Sequence, residues 1–139
     1  MARDIFHDAV RTALEKDGWT ITHDPYLIKT ELLDEPLSAD LGAEKLIAAS
    51  KGQEKILVEI KSFLRESLVY EFHRAIGQIV SYQINMEIQD PDRGIYLAIP
   101  KFAWEKMATQ GFYEAVFRRE SIHCLIFDPE TKSVVLWKK

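Results

Sequence analysis

One cysteine, five prolines and six glycines are all that 139 residues hold of the types that staple, break or loosen a chain. With Cys124 alone, no internal disulfide can form. Its place in the apolar run Ile122 to Phe127 marks it as a buried, inert thiol rather than a nucleophile. No repeat, low-complexity tract or Gly/Ser linker divides the chain. Neither G-x-x-x-x-G-K-[ST] nor G-x-G-x-x-G occurs, which removes support for a nucleotide-driven mechanism. His7, His23, His73 and His123 are scattered without zinc-site spacing and read as surface or core packing. Positive charge is also short: 18 Lys and Arg stand against 22 Asp and Glu, a net charge of -4. That balance argues against the broad basic field that usually accompanies nucleic-acid binding. The opening MARDIFHDAVRTALEK carries charges every few residues and reads as neither a signal peptide nor a membrane span, so a soluble, cytoplasmic protein is expected.

What is present is a globular composition, 47% hydrophobic and 11% aromatic, at the length of one domain, residues 1–139. Folding at this size buries roughly 68% of the unfolded surface, enough for a core without staples. Ile5, Ala9, Val10, Ala13 and Leu14 predict a first helix of about four turns stopped by Gly18. Trp19 to Ile21 and Tyr26 to Thr30 read as short extended segments, and Asp34 to Ala39, centred on Pro36, as a loop. Residues 39–63 form a hairpin about Ser50-Lys51-Gly52-Gln53. Ser67 to Met86 predicts a long helix with an apolar stripe of Val69, Phe72, Ile76, Ile79 and Val80, and a separate row of Arg74, Gln78 and Tyr82 at four-residue steps. GIYLAIP predicts a strand covered on both faces. Lys101 to Arg119 reads as helical with a break near Gly111, and a last hairpin joins Ser121–Phe127 to Ser133–Trp137. The expected fold class is α/β, a mixed sheet with flanking helices.

One strand breaks the apolar rule. Glu59 and Lys61 sit among Ile56, Leu57, Val58 and Ile60, and a buried charge costs several kcal/mol unless it is paired, hydrogen-bonded or on a metal. The expected hairpin register sets Glu44 opposite Glu59, Gly42 opposite Lys61 and Asp40 opposite Phe63, with Asp40, Glu44, Glu59 and Lys61 on one face. Like charges opposed across a sheet pair destabilise it, so something must offset the acids. Either Lys61 neutralises them at a half-exposed edge, or the carboxylates converge on a hard cation such as Mg²⁺ with the ammonium beside it. Phosphodiester hydrolysis uses the second combination.

Asp40, eighteen residues, then Glu59-Ile60-Lys61, on a hairpin between a first helix and a long second helix, resembles the PD-(D/E)xK nuclease superfamily with its restriction-endonuclease-like fold. The resemblance implies an αβββαβ core followed by a C-terminal β-hairpin. It makes Asp40 and Glu59 the metal acids and Lys61 the lysine that steers the attacking water; Glu44, set on the same hairpin face by the expected register, is a further candidate acid, and Ala39 stands where the motif often has proline. Gln78 and Tyr82 fit the Q-x-x-x-Y element of RecB-like nucleases, an amide and a phenol on one helical face. Over nearly its whole length the chain also resembles the XisH family, the fdxN element excision controlling factors of cyanobacteria. That likeness runs through MARDIFHDAV, DLGAEKLIAA, VEIKSF, FHRAIGQIVSYQ and the closing WKK.

This second resemblance implies a role in excision of a DNA element, acting with a site-specific recombinase and a small partner, XisI. Two functions follow as expectations. One is a Mg²⁺-dependent nuclease, dimeric where both strands are cut. The other is a regulatory or architectural subunit of a recombinase complex, which the acidic balance favours because a catalytic nuclease usually offers DNA more positive surface. Trp104, Phe112 and Phe117 read as core rather than as a base-stacking platform, and Arg118-Arg119 and Lys138-Lys139 as solvated surface.

Overall fold

The computed structural model describes residues 5–35, 37, 46–65 and 67–139. Four helices and six strands follow in the order α1 (His7–Lys16), β1 (Thr20–His23), β2 (Leu46–Lys51), β3 (Glu54–Ile60), α2 (Leu68–Gln89), β4 (Gly94–Pro100), α3 (Lys101–Ala108), α4 (Gly111–Arg119), β5 (His123–Asp128) and β6 (Ser133–Lys138). The six strands make one mixed sheet in sequence order. β3, β4 and β5 run parallel, linked by α2 and by the α3–α4 pair, and β1, β2 and β6 are antiparallel to their neighbours. The α/β class and the mixed sheet are as expected from sequence.

Alternation along the central strands divides the core in two. Leu57, Leu97, Ile99, Cys124 and Ile126 face Phe72, Ala75, Ile79 and Met86 of α2 and Ala103, Met107, Tyr113 and Phe117 of α3 and α4. Ile56, Val58, Ile60, Tyr96, Ala98, Leu125 and Phe127 face Val10 and Leu14 of α1. With helices on both faces, β3 and β4 must be apolar on both, which is why GIYLAIP is an unbroken apolar run. Glu54 and Lys55 begin β3 outside this cover, but a charge further along the strand, as at Glu59, lies inside the protein.

Several elements depart from the sequence reading. α1 spans ten residues, and Ile5, counted in its stripe, lies outside it and is exposed. Gly18 does end it, at φ 94, a conformation closed to most side chains. Tyr26 to Thr30 contains only an isolated bridge, Ile28 to Leu37, and no strand. On α2, which Ser67 caps with its hydroxyl accepting Tyr70 N–H at 3.2 Å, Val69 is exposed, and Ala75, Tyr82 and Met86 are buried where Ile76 and Val80 are only half-buried. The last hairpin begins at His123, with Ser121 and Ile122 in the turn before it.

The hairpin register also differs. Lys51 pairs with Glu54 and Leu46 with Glu59, so the two-residue turn is Gly52-Gln53, with Gly52 at φ 63 in the first position. Lys51 leaves the turn to stand opposite Glu54, its opposite in charge. The expected opposition of Glu59 and Glu44 is therefore replaced by Glu59 and Leu46. A shift of two residues preserves side-chain parity, so Glu59 stays on its predicted face. Asp40, Gly42 and Glu44 lie outside the described residues.

Candidate active site

Glu59 occupies the centre of the sheet face covered by α2, with Leu46 on β2 and Leu97 on β4 as lateral neighbours. It is fully buried, and Lys61 is 3% exposed. β3 ends at Ile60, but the backbone keeps its course for one more residue, because Lys61 N–H donates to Ala98 carbonyl at 3.2 Å. The two side chains, two residues apart on an extended chain, point the same way. Lys61 Nζ comes within 3.6 Å of Glu59 Oε2. The other carboxylate oxygen, Oε1, accepts a 2.9 Å hydrogen bond from the Tyr82 hydroxyl on α2. A hydroxyl is the right donor here, because burial of the phenol requires a partner and the carboxylate supplies one.

Gln78 lies one turn before Tyr82. Its Oε1 is buried and makes no hydrogen bond. The row does not extend to Arg74, which is exposed. At 3.6 residues per turn each four-residue step drifts by about 40°, so a row that begins against the sheet at Tyr82 is half-buried at Gln78 and faces outward at Arg74. The structure therefore brings together Glu59, Lys61 and Tyr82, with Gln78 beside them on α2. Asp40 and Glu44, the other expected acids, lie outside the described residues.

Two further buried polar groups on α2 escaped the sequence reading. Asn85 accepts from Thr30 Oγ1 at 2.6 Å and donates to Ser81 carbonyl, tying the segment after β1 to the helix. Glu71, 8% exposed in the first turn, accepts Arg65 N–H at 2.9 Å. Both continue the buried face of Tyr82 at helical spacing, a signal masked in the sequence by the apolar residues that share the same face.

A second polar cluster lies between α1 and the end of β1. His7, with no exposure, sits 2.8 Å through Nε2 from Asp24 Oδ2, and Arg11 Nη1 donates to the same oxygen at 2.6 Å. Burial alone raises the Asp24 pKa, but the hydrogen bonds and charges of His7 and Arg11 outweigh it and hold the carboxyl below its ordinary value. His7 is thus a packed core histidine, with a carboxylate partner that its sequence position does not disclose. Cys124 is completely buried and its thiol is pushed up to about 12 by burial, so it is not a nucleophile. Among the described residues, no three His, Cys, Asp or Glu side chains lie together as a metal-binding group. Nor is any helix among them long and apolar enough to cross a membrane. Phe117 is core, stacked on Trp104 at 6.1 Å, whereas Phe112 is half exposed against Phe72. Clefts of about 290 and 460 Å³ lie elsewhere, one lined by Trp104 and Tyr113, the other by Trp19 and Trp137, and neither includes Glu59, Lys61, Gln78 or Tyr82.

Residues 1–135 match the family model described as XisH protein. An XisH family protein from Nostoc punctiforme PCC 73102 is 38% identical and superposes with a TM-score of 0.88, covering 98% of this chain and 100% of its own. A fdxN element excision controlling factor protein from Anabaena variabilis is 36% identical with a TM-score of 0.87, covering 96% of this chain and 98% of its own. No curated protein sequence matches the chain.

Proposed function

This chain belongs to the XisH family, and we propose that it is a DNA-element excision controlling factor that works as a Mg²⁺-dependent nuclease of the PD-(D/E)xK type, built on a restriction-endonuclease-like arrangement of its mixed sheet. The observation that carries this reading is the buried contact of Glu59 with Lys61, closed from above by Tyr82. Placing a carboxylate and an ammonium in a protein interior costs several kcal/mol for each ion, and an apolar pair of the same volume usually serves stability as well or better. The pair is therefore better explained by chemistry than by stability.

The residues fit a hard cation in kind. Glu59 contributes carboxylate oxygen, the donor Mg²⁺ prefers, and Asp40 and Glu44 are the acids that would join it. When bound, the cation supplies charge neutralisation on the phosphate and a water acidified toward hydroxide. The chain's own residues supply the rest. Tyr82 fixes the rotation of the Glu59 carboxylate by holding Oε1, which leaves Oε2 directed toward Lys61. Lys61, buried to its ammonium, provides a localised positive charge to hold a phosphate oxygen or steer the attacking water, stronger there than in solvent. Gln78 offers a carbonyl oxygen with no competing partner, able to accept a hydrogen bond from that water.

The decisive experiment is nicking of supercoiled plasmid by purified protein at millimolar Mg²⁺, repeated with Glu59→Gln and Lys61→Met. Loss of nicking in both supports the assignment, and retention in both removes it.

The net charge of -4 favours a second reading. With so little positive surface, the chain acts beside a partner, such as an XisI-like protein, a site-specific recombinase or a second copy of itself, that provides contact to the DNA. In its extreme form the chain is a regulatory or architectural subunit with no cleavage of its own. Tight association with a partner, combined with a melting temperature that millimolar Mg²⁺ leaves unchanged, selects that form.

A further inference from the structure

The first turn of α2 carries a buried acid, Glu71, that the proposed reaction does not use and that bonds the segment joining β3 to α2. After Lys61 the chain must turn from the sheet to Ser67, the first residue of the helix cap. It does so through Phe63, at φ 57, a left-handed conformation that disfavours any residue but glycine. The Phe63 ring is nevertheless buried in the core under α2. Such a conformation persists only where the surroundings over-determine it. Glu71 provides the constraint: from the first turn of α2 its Oε2 accepts the Arg65 N–H at 2.9 Å, while its own N–H bonds Ser67 carbonyl at 3.1 Å. A carboxylate on a backbone N–H is a charge-assisted bond, and the positive end of the helix dipole favours the acid there.

We propose that Glu71 is a positioning residue for Lys61: by clamping Arg65 to the first turn of α2 it holds the left-handed turn at Phe63, and through it the place of the Lys61 ammonium beside Glu59. The catalytic part of this role rests on the nuclease reading; the positional part does not. A mere helix cap at Glu71 would change stability and leave Lys61 where it is.

The test is nuclear magnetic resonance of the labelled full chain, following the Lys61 Hε–Cε cross-peak, assigned through Lys61→Arg, together with Mg²⁺-dependent plasmid nicking. In Glu71→Ala the cross-peak is expected to move toward that of an exposed lysine, while core methyl resonances stay in place. The turnover rate is expected to fall at least tenfold with KM within twofold. Glu71→Gln, which keeps an acceptor but not the charge, is expected to move the cross-peak part of the way and reduce the rate two- to threefold.

A Lys61 cross-peak unmoved in Glu71→Ala overturns the proposal, and one that moves with no change in rate overturns its catalytic part. Should Glu71→Ala not fold, Glu71→Gln decides: an Arg65 amide resonance that shifts while Lys61 stays fixed overturns it. Should the unaltered protein fail to cleave DNA, the nuclease reading falls, and the cross-peak still decides whether Glu71 positions Lys61.

Discussion

Tyr82 donates its hydroxyl proton to Glu59 across the interface between α2 and β3, at 2.9 Å, with both side chains buried. Removing that hydroxyl takes one donor away from a fully buried carboxylate. Tyr82→Phe is expected to destabilise the protein by about 1–3 kcal/mol. Chemical denaturation with an unchanged m-value checks it, and a loss below a few tenths of a kcal/mol would show that the bond carries nothing.

Glu59 and Lys61 are predicted to be energetically coupled. In a double-mutant cycle with Glu59→Gln and Lys61→Met, the interaction energy is expected at about 1–3 kcal/mol, as for contacting groups in one network. Additive effects would mean that the 3.6 Å approach of Nζ to Oε2 is incidental.

Gln78 should behave in the opposite sense. Its Oε1 is buried with no hydrogen bond, so the amide oxygen is desolvated without return. Gln78→Leu is expected to leave stability unchanged or raise it by about 1 kcal/mol while abolishing nicking. A clear loss of stability on thermal unfolding contradicts the assignment of Gln78 as a residue kept for function.

Asp24 gives the protein an acid-side weakness. Its folded pKa lies below the ordinary 3.8, because the hydrogen bonds and charges of His7 and Arg11 overcome its burial. A depressed carboxylate stabilises the fold above its unfolded pKa, and that contribution is lost as pH falls from about 3.8 through the folded value. Asp90 and Asp128 are depressed as well, so the readout is a difference: the unfolding free energy of Asp24→Asn is expected to fall less steeply than that of the unaltered protein below pH 3.8. Parallel pH profiles would exclude the contribution.

Cys124 is expected to be silent toward thiol reagents. With no exposure and a pKa pushed up to about 12, it should react with less than one tenth of an equivalent of a colorimetric disulfide at pH 8, and with one equivalent after unfolding. Fast reaction of the folded protein would mean that β5 opens readily.

Features governed by local periodicity are legible in the order of the amino acids. GIYLAIP is β4 residue for residue, the break near Gly111 separates α3 from α4, and alternation along β3 places Glu59 and Lys61 on a shared face. Each follows from chain geometry over a few residues: a period of two on a strand, 3.6 on a helix, and a glycine where one helix gives way to the next. The Q-x-x-x-Y spacing likewise specifies that Gln78 and Tyr82 are neighbours. It does not specify that Tyr82 reaches Glu59 whereas Arg74, in the same row, faces solvent.

That second kind of fact depends on how α2 lies across β3, which no local period encodes. The hairpin register differs by two residues from the expected one because a glycine takes the first turn position, and with it the neighbour of Glu59 changes from an acid to Leu46. His7 and Asp24 are 17 residues apart, and Glu71 acts on a turn whose constraint appears only when Phe63 is buried. The amino-acid sequence by itself determined which side chains share a strand or helix face, and so the presence of a charged unit on an apolar strand. Only the tertiary structure decided which faces meet, because the packing of α2 on the sheet is set by the sum of many apolar contacts, and the polar bonds of Tyr82 and Glu71 form where that packing happens to bring them.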